Sequence, residues 1–88
     1  MRLCCSFEVV EMGNEIVAVP VGGKASKING LLKLNKEGKE IFEMLIAGNS
    51  EAEIRERLFE KYENKSEIEE ILKDFLDKLR GYHFLIDD

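Results

Sequence analysis

Residues 34–38, Leu-Asn-Lys-Glu-Gly, and the apolar pattern that continues from them to Gly48 decide how this chain folds. The short apolar run at 31–34 predicts a strand. Asn35 follows it at once, and asparagine is a residue type whose side chain caps the first backbone N–H groups of a helix. Gly48 stands after the last apolar residue, where helices often end in a left-handed conformation. The stretch therefore predicts a strand that runs directly into a short helix.

The residues before this junction predict β-structure. Residues 6–10 and 16–19 are rich in β-branched and aromatic side chains, and the turn residue Gly13 between them indicates a hairpin. Pro20 has no N–H to donate to a sheet, so we expect it at a strand end or at an edge. Residues 22–30 contain two pairs of turn-forming residues and predict a loop.

Three helices are predicted after the junction. The first covers residues 36–47, where Gly38 costs roughly 1 kcal/mol relative to Ala; a close approach of the sheet would explain its presence. Ser50 opens the second helix in a capping box with a glutamate three residues later. The third helix, at 66–80, is predicted to begin with the same device at its serine. Residues 82–86 form an apolar tail, either a last short strand or a segment packed against the helices.

This order of elements predicts an α+β fold. The expected architecture is winged helix-turn-helix-like, with a three-stranded antiparallel β-sheet followed by three α-helices in a single domain over residues 1–88. No apolar run approaches the length of a membrane span, and the first residues lack a secretory pattern. We therefore expect a cytoplasmic protein without a membrane partner.

The net charge of −5 is concentrated in the helical part. Residues 35–88 carry nine basic and fifteen acidic side chains, whereas residues 1–34 carry four and three. In a winged helix that binds DNA, the third helix would enter the groove, and here residues 66–80 hold three basic and five acidic side chains. Phosphates would repel that face. We expect no nucleic-acid partner, although a winged-helix transcription regulator is the rival hypothesis.

Residues suited to catalysis or metal binding are scarce. His83 is the only histidine and stands in an apolar context. Cys4 and Cys5 are adjacent, so on a strand they would point to opposite faces and make a poor metal pair. A phosphate-binding glycine loop and an iron–sulfur cysteine cluster are both missing from the sequence. We predict no enzymatic activity, no cofactor and no metal site.

The strand and helix residues of this chain resemble those of the PqqD family, whose type member acts in pyrroloquinoline quinone biosynthesis. The resemblance runs from about residue 7 to residue 86. It is carried by Ile16-Val17-Ala18-Val19-Pro20, Leu32-Lys33-Leu34-Asn35-x-x-Gly38, Ile41-Phe42, Leu45, Gly48, Ile54, Leu58 and Tyr62.

The resemblance implies a recognition element for ribosomally made peptides that are later modified. Such a module binds the leader segment of a precursor peptide and brings it to a modifying enzyme, often a radical SAM enzyme. The leader is expected to add as a strand beside the third strand, in a groove against the third helix. A further rival hypothesis, independent of the resemblance, is a structural subunit that docks on a larger enzyme without touching the substrate.

This placement predicts a peptide-binding site on two elements. The strand edge would supply hydrogen bonds, two apolar side chains of the third helix would form the groove wall, and two charged side chains beside them would select leader charges. The predicted site residues are Leu31, Leu32, Lys33, Leu34, Ile71, Asp74, Phe75 and Lys78. An open edge strand also predicts that a homodimer could form there.

Overall fold

The structure, a computed structural model, describes residues 1–22 and 31–87, so most of the predicted loop at 22–30 lies outside the described residues. The elements, in chain order, are β1 (Arg2–Leu3), β2 (Ser6–Met12), β3 (Glu15–Val21), β4 (Leu32–Leu34), α1 (Lys36–Ile46), α2 (Glu51–Lys61), α3 (Lys65–Gly81) and β5 (Leu85–Ile86). The predicted α+β fold, with three antiparallel strands followed by three helices, is confirmed.

The main sheet has the order β2-β3-β4, with every pair antiparallel. β2 and β3 form the predicted hairpin, in which Gly13 adopts a left-handed φ of 62° that a tight turn requires. At its C-terminal end, each strand is two residues longer than the apolar pattern predicted. Pro20 therefore lies inside β3, next to its last residue, although its strand is the central one.

Local capping explains where the first two helices begin and end. The Asn35 side chain accepts a hydrogen bond of 2.7 Å from the Gly38 N–H at the start of α1. Gly48, at a φ of 91°, follows α1 and donates its N–H to the Leu45 carbonyl, which is part of a Schellman ending. The capping box predicted at Ser50 is present. These three predictions are confirmed.

The predicted start of the third helix is wrong by two residues. The cap is Asn64, whose Oδ1 accepts from the Glu67 N–H at 3.1 Å, and Ser66 lies inside the first turn of α3. Both residues have a glutamate three positions later, so both fit the start signal. Asparagine is at least as good a cap as serine, and starting earlier adds two residues to the helix.

A second, two-stranded sheet joins the chain ends. β1 pairs with β5, with Arg2 opposite Ile86 and Leu3 opposite Leu85. The Cys4 N–H extends this contact by donating to the Phe84 carbonyl at 2.8 Å. The apolar tail is thus both a short strand and a packed segment, whereas β1 was not predicted.

The core lies between the inner face of the main sheet and the three helices. Phe7 of β2 is central to it: its ring lies edge-on to Phe42 of α1 at 5.2 Å and 5.4 Å from the ring of Phe84. The other buried members are Ala18, Leu32, Leu34, Ile41, Leu45, Ile54, Leu58, Ile68, Leu72, Leu76, Leu79 and Leu85. One layer of helices covers the sheet, and α1 contacts both of its edge strands, β2 and β4.

Candidate functional site

The register of the β2–β3 hairpin determines which backbone N–H and C=O groups of β3 point toward β2 and which point toward β4. Met12 and Glu15 face each other across a two-residue turn and therefore form a hydrogen-bonded pair. Bonded and non-bonded pairs then alternate, which places Pro20 opposite Phe7 in a non-bonded pair. A proline fits only there, since it has no N–H to give. The even-numbered residues of β3 consequently direct their backbone groups toward β4.

β4 presents one open edge. Leu32 and Leu34 form its bonded pairs with β3, whereas Lys33 lies opposite Val17 in a non-bonded pair. The N–H and C=O of Lys33 therefore point away from β3. Among residues 1–22 and 31–87, no strand pairs with that side of β4. An extended segment could hydrogen-bond there.

The side chains of this edge divide between the core and solvent. Leu32 and Leu34 are 4% and 8% exposed and hold β4 in the core. Leu31, directly before β4, is 57% exposed, and Lys33 points to the outer face, where its Nζ lies 3.5 Å from Oε1 of Glu15. Of the four predicted strand residues, two are therefore accessible and two anchor the edge.

α3 places Ile71 and Phe75 at the border of the core. Both side chains are half-buried and pack against the core from its rim. The Phe75 ring lies edge-on to Phe42, with 6.5 Å between ring centroids. Each of the two predicted wall residues thus keeps an exposed apolar part in addition to its core contacts.

Gly38, in the first turn of α1 directly after β4, packs against Phe75 of α3. A Cβ on Gly38 would lie 3.1 Å from Cε1 of Phe75 and 3.0 Å from Oδ1 of Asn35. The expected close approach of the sheet is therefore wrong, because the neighbours are an α3 side chain and the helix cap. Gly38 was not among the predicted site residues, although a glycine in the first turn of a helix is itself a signal of close packing. Its missing side chain brings Phe75 up to the beginning of α1.

The two predicted charged residues lie on the solvent side of α3. Asp74 and Lys78 are both exposed. Within the described part of the chain, neither side chain makes an ion pair, whereas Arg80 on the same helix makes several. Both charges are thus available to a partner.

A cluster of ion pairs fastens α3 to its surroundings. Arg80 contacts Asp87 through Nε at 2.7 Å, and it also reaches Asp77 and Glu51. The Arg80 guanidinium lowers the pKa of Asp87 below its ordinary value by hydrogen bonding and by charge. On the same side, Arg55 bridges Glu51 to α3. These contacts tie α3 to α2 at Glu69 and at Arg80, and they tie the C-terminal end of α3 to Asp87.

α1 and α2 are joined by a smaller cluster around Glu40. The Tyr62 hydroxyl lies 3.1 Å from each carboxylate oxygen of Glu40, and the Lys61 Nζ lies 2.7 Å from one of them. Burial raises the pKa of Tyr62, and the hydrogen bond to Glu40 raises it further. The start of α1, which carries Gly38, is thereby tied to α2.

The described residues hold neither a metal-binding cluster nor a membrane-spanning helix. No group of three or more His, Cys, Asp or Glu side chains there is placed to hold a metal ion. In the same residues, no helix combines the length and apolarity needed to cross a membrane. Cys4 and Cys5 are not joined in a disulfide, and each is partly exposed. His83 is exposed and adopts a φ of 63°, so its role is conformational, at the end of α3.

The architecture is that of a small winged-helix-like module with an open strand edge beside a helix flank. The chain belongs to the PqqD family: the family model described as Coenzyme PQQ synthesis protein D matches residues 15–85. A solved structure with the same fold is described as TbiB1 in complex with the TbiA(beta) leader peptide. It is 21% identical, with a TM-score of 0.75 over 100% of both chains. A comparison with curated protein sequences finds no match.

Proposed function

We propose that this protein is a non-catalytic adaptor that binds the leader segment of a ribosomally made precursor peptide. The leader adds as a strand to the open edge of β4 and lies against α3. The observation that carries the proposal is the outward-pointing backbone of Lys33 on the open edge of β4. The half-buried Phe75 of α3 packs against Gly38 at the start of α1, the helix that directly follows β4. Membership of the PqqD family supports it, as does the shared fold with TbiB1, which was solved with a leader peptide.

Backbone bonding alone is too weak to account for such binding. About four hydrogen bonds at roughly 0.5–1.5 kcal/mol each supply only a few kcal/mol. Micromolar affinity corresponds to about 8 kcal/mol. Apolar leader side chains must supply the rest by packing on Ile71 and Phe75, because burial of one large apolar side chain contributes about 1.5–3 kcal/mol. The leader should therefore contain two large apolar residues spaced for one face of a strand.

The charges on α3 define the polar part of the leader. Asp74 and Lys78 are one helical turn apart, about 6 Å along the axis, and neither has an ion-pair partner among the described residues. A leader with a basic side chain beside Asp74 and an acidic one beside Lys78 matches this pair. Exposed pairs of this kind contribute little affinity but select register.

The adaptor presents its leader to a modifying enzyme, which by family resemblance is a radical SAM enzyme or another peptide-modifying enzyme. The same β4 edge also suits a homodimer in the absence of leader, since two copies can pair there. Leader and second copy would then compete, and leader addition should convert a dimer to a monomer in analytical ultracentrifugation.

DNA binding is disfavoured by the same helix. Arg80 is held by carboxylates, which leaves Lys65, Lys73 and Lys78 as the cations of α3 without an ion pair in the described part. Five acidic side chains share that helix. Phosphates would meet net repulsion there.

Isothermal titration calorimetry with the leader of the precursor peptide encoded beside the gene tests the proposal. Micromolar binding, with no heat from a scrambled leader of the same composition, is expected. Absence of binding at high micromolar concentrations would overturn the proposal. Pull-down of a modifying enzyme in that case would favour the structural-subunit alternative.

A further inference from the structure

The sheet has a second open edge, on β2. The alternation that begins at the Met12–Glu15 pair directs the backbone groups of Phe7, Val9 and Glu11 away from β3. In the described part of the chain, no strand pairs with this side of β2, and these three residues make no other backbone hydrogen bond. The four backbone groups of Val9 and Glu11 are therefore available to a guest strand, whereas Phe7 is only 5% exposed.

A groove accompanies this edge. It has a volume of about 700 Å³ and lies between β2 and the flank of α1. Phe7 and Val9 line it from the strand, and Ile46 and Ala47 line it from the end of the helix. Ile46 is 44% exposed and so presents apolar surface to the groove. The groove thus combines an apolar surface with free hydrogen-bonding groups.

The rim of the groove is acidic. Glu8, Glu11 and Glu43 stand around it with Lys39 as the one cation among the lining residues. Lys39 is already engaged, because its Nζ lies 2.8 Å from Glu11 and 3.7 Å from Glu43. The lining side chains therefore carry a net charge of −2, and an incoming basic side chain would be attracted.

We propose that the β2 edge and this groove form a second strand-docking site, for an extended segment of a partner protein in which apolar and basic residues alternate. The apolar side chains would contact Val9 and Ile46, and the basic ones would pair with the acidic rim. A second copy of this chain fits poorly, because a two-fold contact would bring one acidic rim against the other.

This site is independent of the proposed leader site, since it lies on the opposite edge of the same sheet. Guest strands on both edges would extend the sheet to five strands. Four strand spacings of about 4.8 Å would separate the two guests by roughly 19 Å. The protein could then hold a leader and its partner protein at the same time, without overlap.

Chemical-shift mapping by NMR on the ¹⁵N-labelled full chain tests the proposal, with the acetylated and amidated peptide Lys-Val-Lys-Val-Lys-Val-Lys as the probe. The amides of residues 9 and 11 should shift on titration, while the matched Glu-Val-Glu-Val-Glu-Val-Glu peptide should leave them unchanged. Val9→Pro removes an outward N–H from a non-bonded pair, so it leaves the ladder to β3 intact. It should weaken probe binding about tenfold or more. Val9→Ala keeps the N–H and shortens only the apolar contact, so its loss of affinity should be smaller than that of Val9→Pro, and an equal loss would argue against a bond to the Val9 N–H.

Three outcomes would overturn the proposal. The first is no shift at millimolar probe, with the chain folded. The second is shifts confined to β4 and α3, which would assign the probe to the leader site. The third is a concentration-dependent dimer that Val9→Pro converts to monomer, which would make the β2 edge a contact between copies.

The acidic rim is tested by the double variant Glu8→Gln with Glu43→Gln, which leaves the backbone of β2 unchanged. Its affinity for the Lys-Val probe should be several-fold lower, and an unchanged affinity would overturn the choice of a basic partner segment.

Discussion

Gly38 and Phe75 are in contact where α3 passes the beginning of α1, and a Cβ on Gly38 would lie 3.1 Å from Cε1 of Phe75. Asn35, which caps α1, lies equally close on the other side. The spacing of Asn35 and Gly38 thus allows two contacts, the hydrogen bond of the helix cap and the packing of Phe75. The cap needs the backbone N–H of Gly38, and the aromatic ring needs the absence of its side chain.

Gly38→Ala should therefore destabilise the protein, although alanine is the better helix former. The added methyl group must displace Phe75 or the cap, which costs about 1–3 kcal/mol, while propensity returns about 1 kcal/mol. Urea denaturation should show a net loss of up to about 2 kcal/mol. Gly81→Ala is the matched control, because a Cβ there meets nothing within 4 Å, and it should raise the free energy of unfolding by up to about 1 kcal/mol. A gain from both variants would contradict the close contact.

His83→Gly should stabilise the protein. His83 has a φ of 63° and closes α3, where its N–H bonds to the Arg80 carbonyl and the Phe84 N–H bonds to the Leu79 carbonyl. Residues other than glycine are destabilised in this left-handed backbone conformation by about 1 kcal/mol. Thermal or urea unfolding should show a gain of about 0.5–1 kcal/mol. His83→Ala keeps the strain, so a gain of equal size from alanine would refute this explanation.

Asn64→Ala should cost about 1 kcal/mol of stability, whereas Ser66→Ala should change it by less than about 0.5 kcal/mol. The reason is that Asn64 caps α3, whereas Ser66 is the second residue of the helix and does not cap it. Equilibrium denaturation of both variants measures the difference. The reverse order would place the start of α3 at Ser66.

Asp87 should contribute to acid sensitivity. Arg80 holds the pKa of Asp87 below its ordinary value in the folded protein. A lowered folded pKa gives stability that is present above the unfolded pKa of about 3.9 and is lost as the pH falls through the folded value. Wild type should therefore lose more stability than Asp87→Asn below about pH 4. In an Arg80→Met background, Asp87→Asn should change the acid slope much less, because only the smaller effect of the N-terminal amine on Asp87 remains; an undiminished change would contradict the role of Arg80.

Features that depend on local spacing could be predicted from the sequence. The caps at Asn35 and Ser50 and the left-handed Gly48 each need only a residue type at a given distance from an apolar pattern. The choice between Asn64 and Ser66 could not be made this way, because both satisfy the same signal. The helix that forms is the one with the longer run of bonded turns.

Features that depend on distant contacts were missed. β1 has two residues and exists because Arg2 and Leu3 meet β5 at the other end of the chain. The sequence predicted that the sheet packs against Gly38, because β4 is close to it along the chain. In the structure, Phe75 of α3 packs there instead. In contrast, the outward direction of the Lys33 backbone could have been derived from the hairpin register, since Pro20 must occupy a non-bonded pair.

Leader binding to Lys33→Pro tests the central claim most directly. The substitution removes an outward N–H of β4 but no bond to β3, because Lys33 and Val17 form a non-bonded pair. Lys33→Ala keeps that N–H and removes only the side chain. Calorimetric titration with the leader should show affinity at least about tenfold lower for Lys33→Pro and close to wild type for Lys33→Ala and Val9→Pro. Unchanged affinity of a folded Lys33→Pro variant would contradict strand addition at β4.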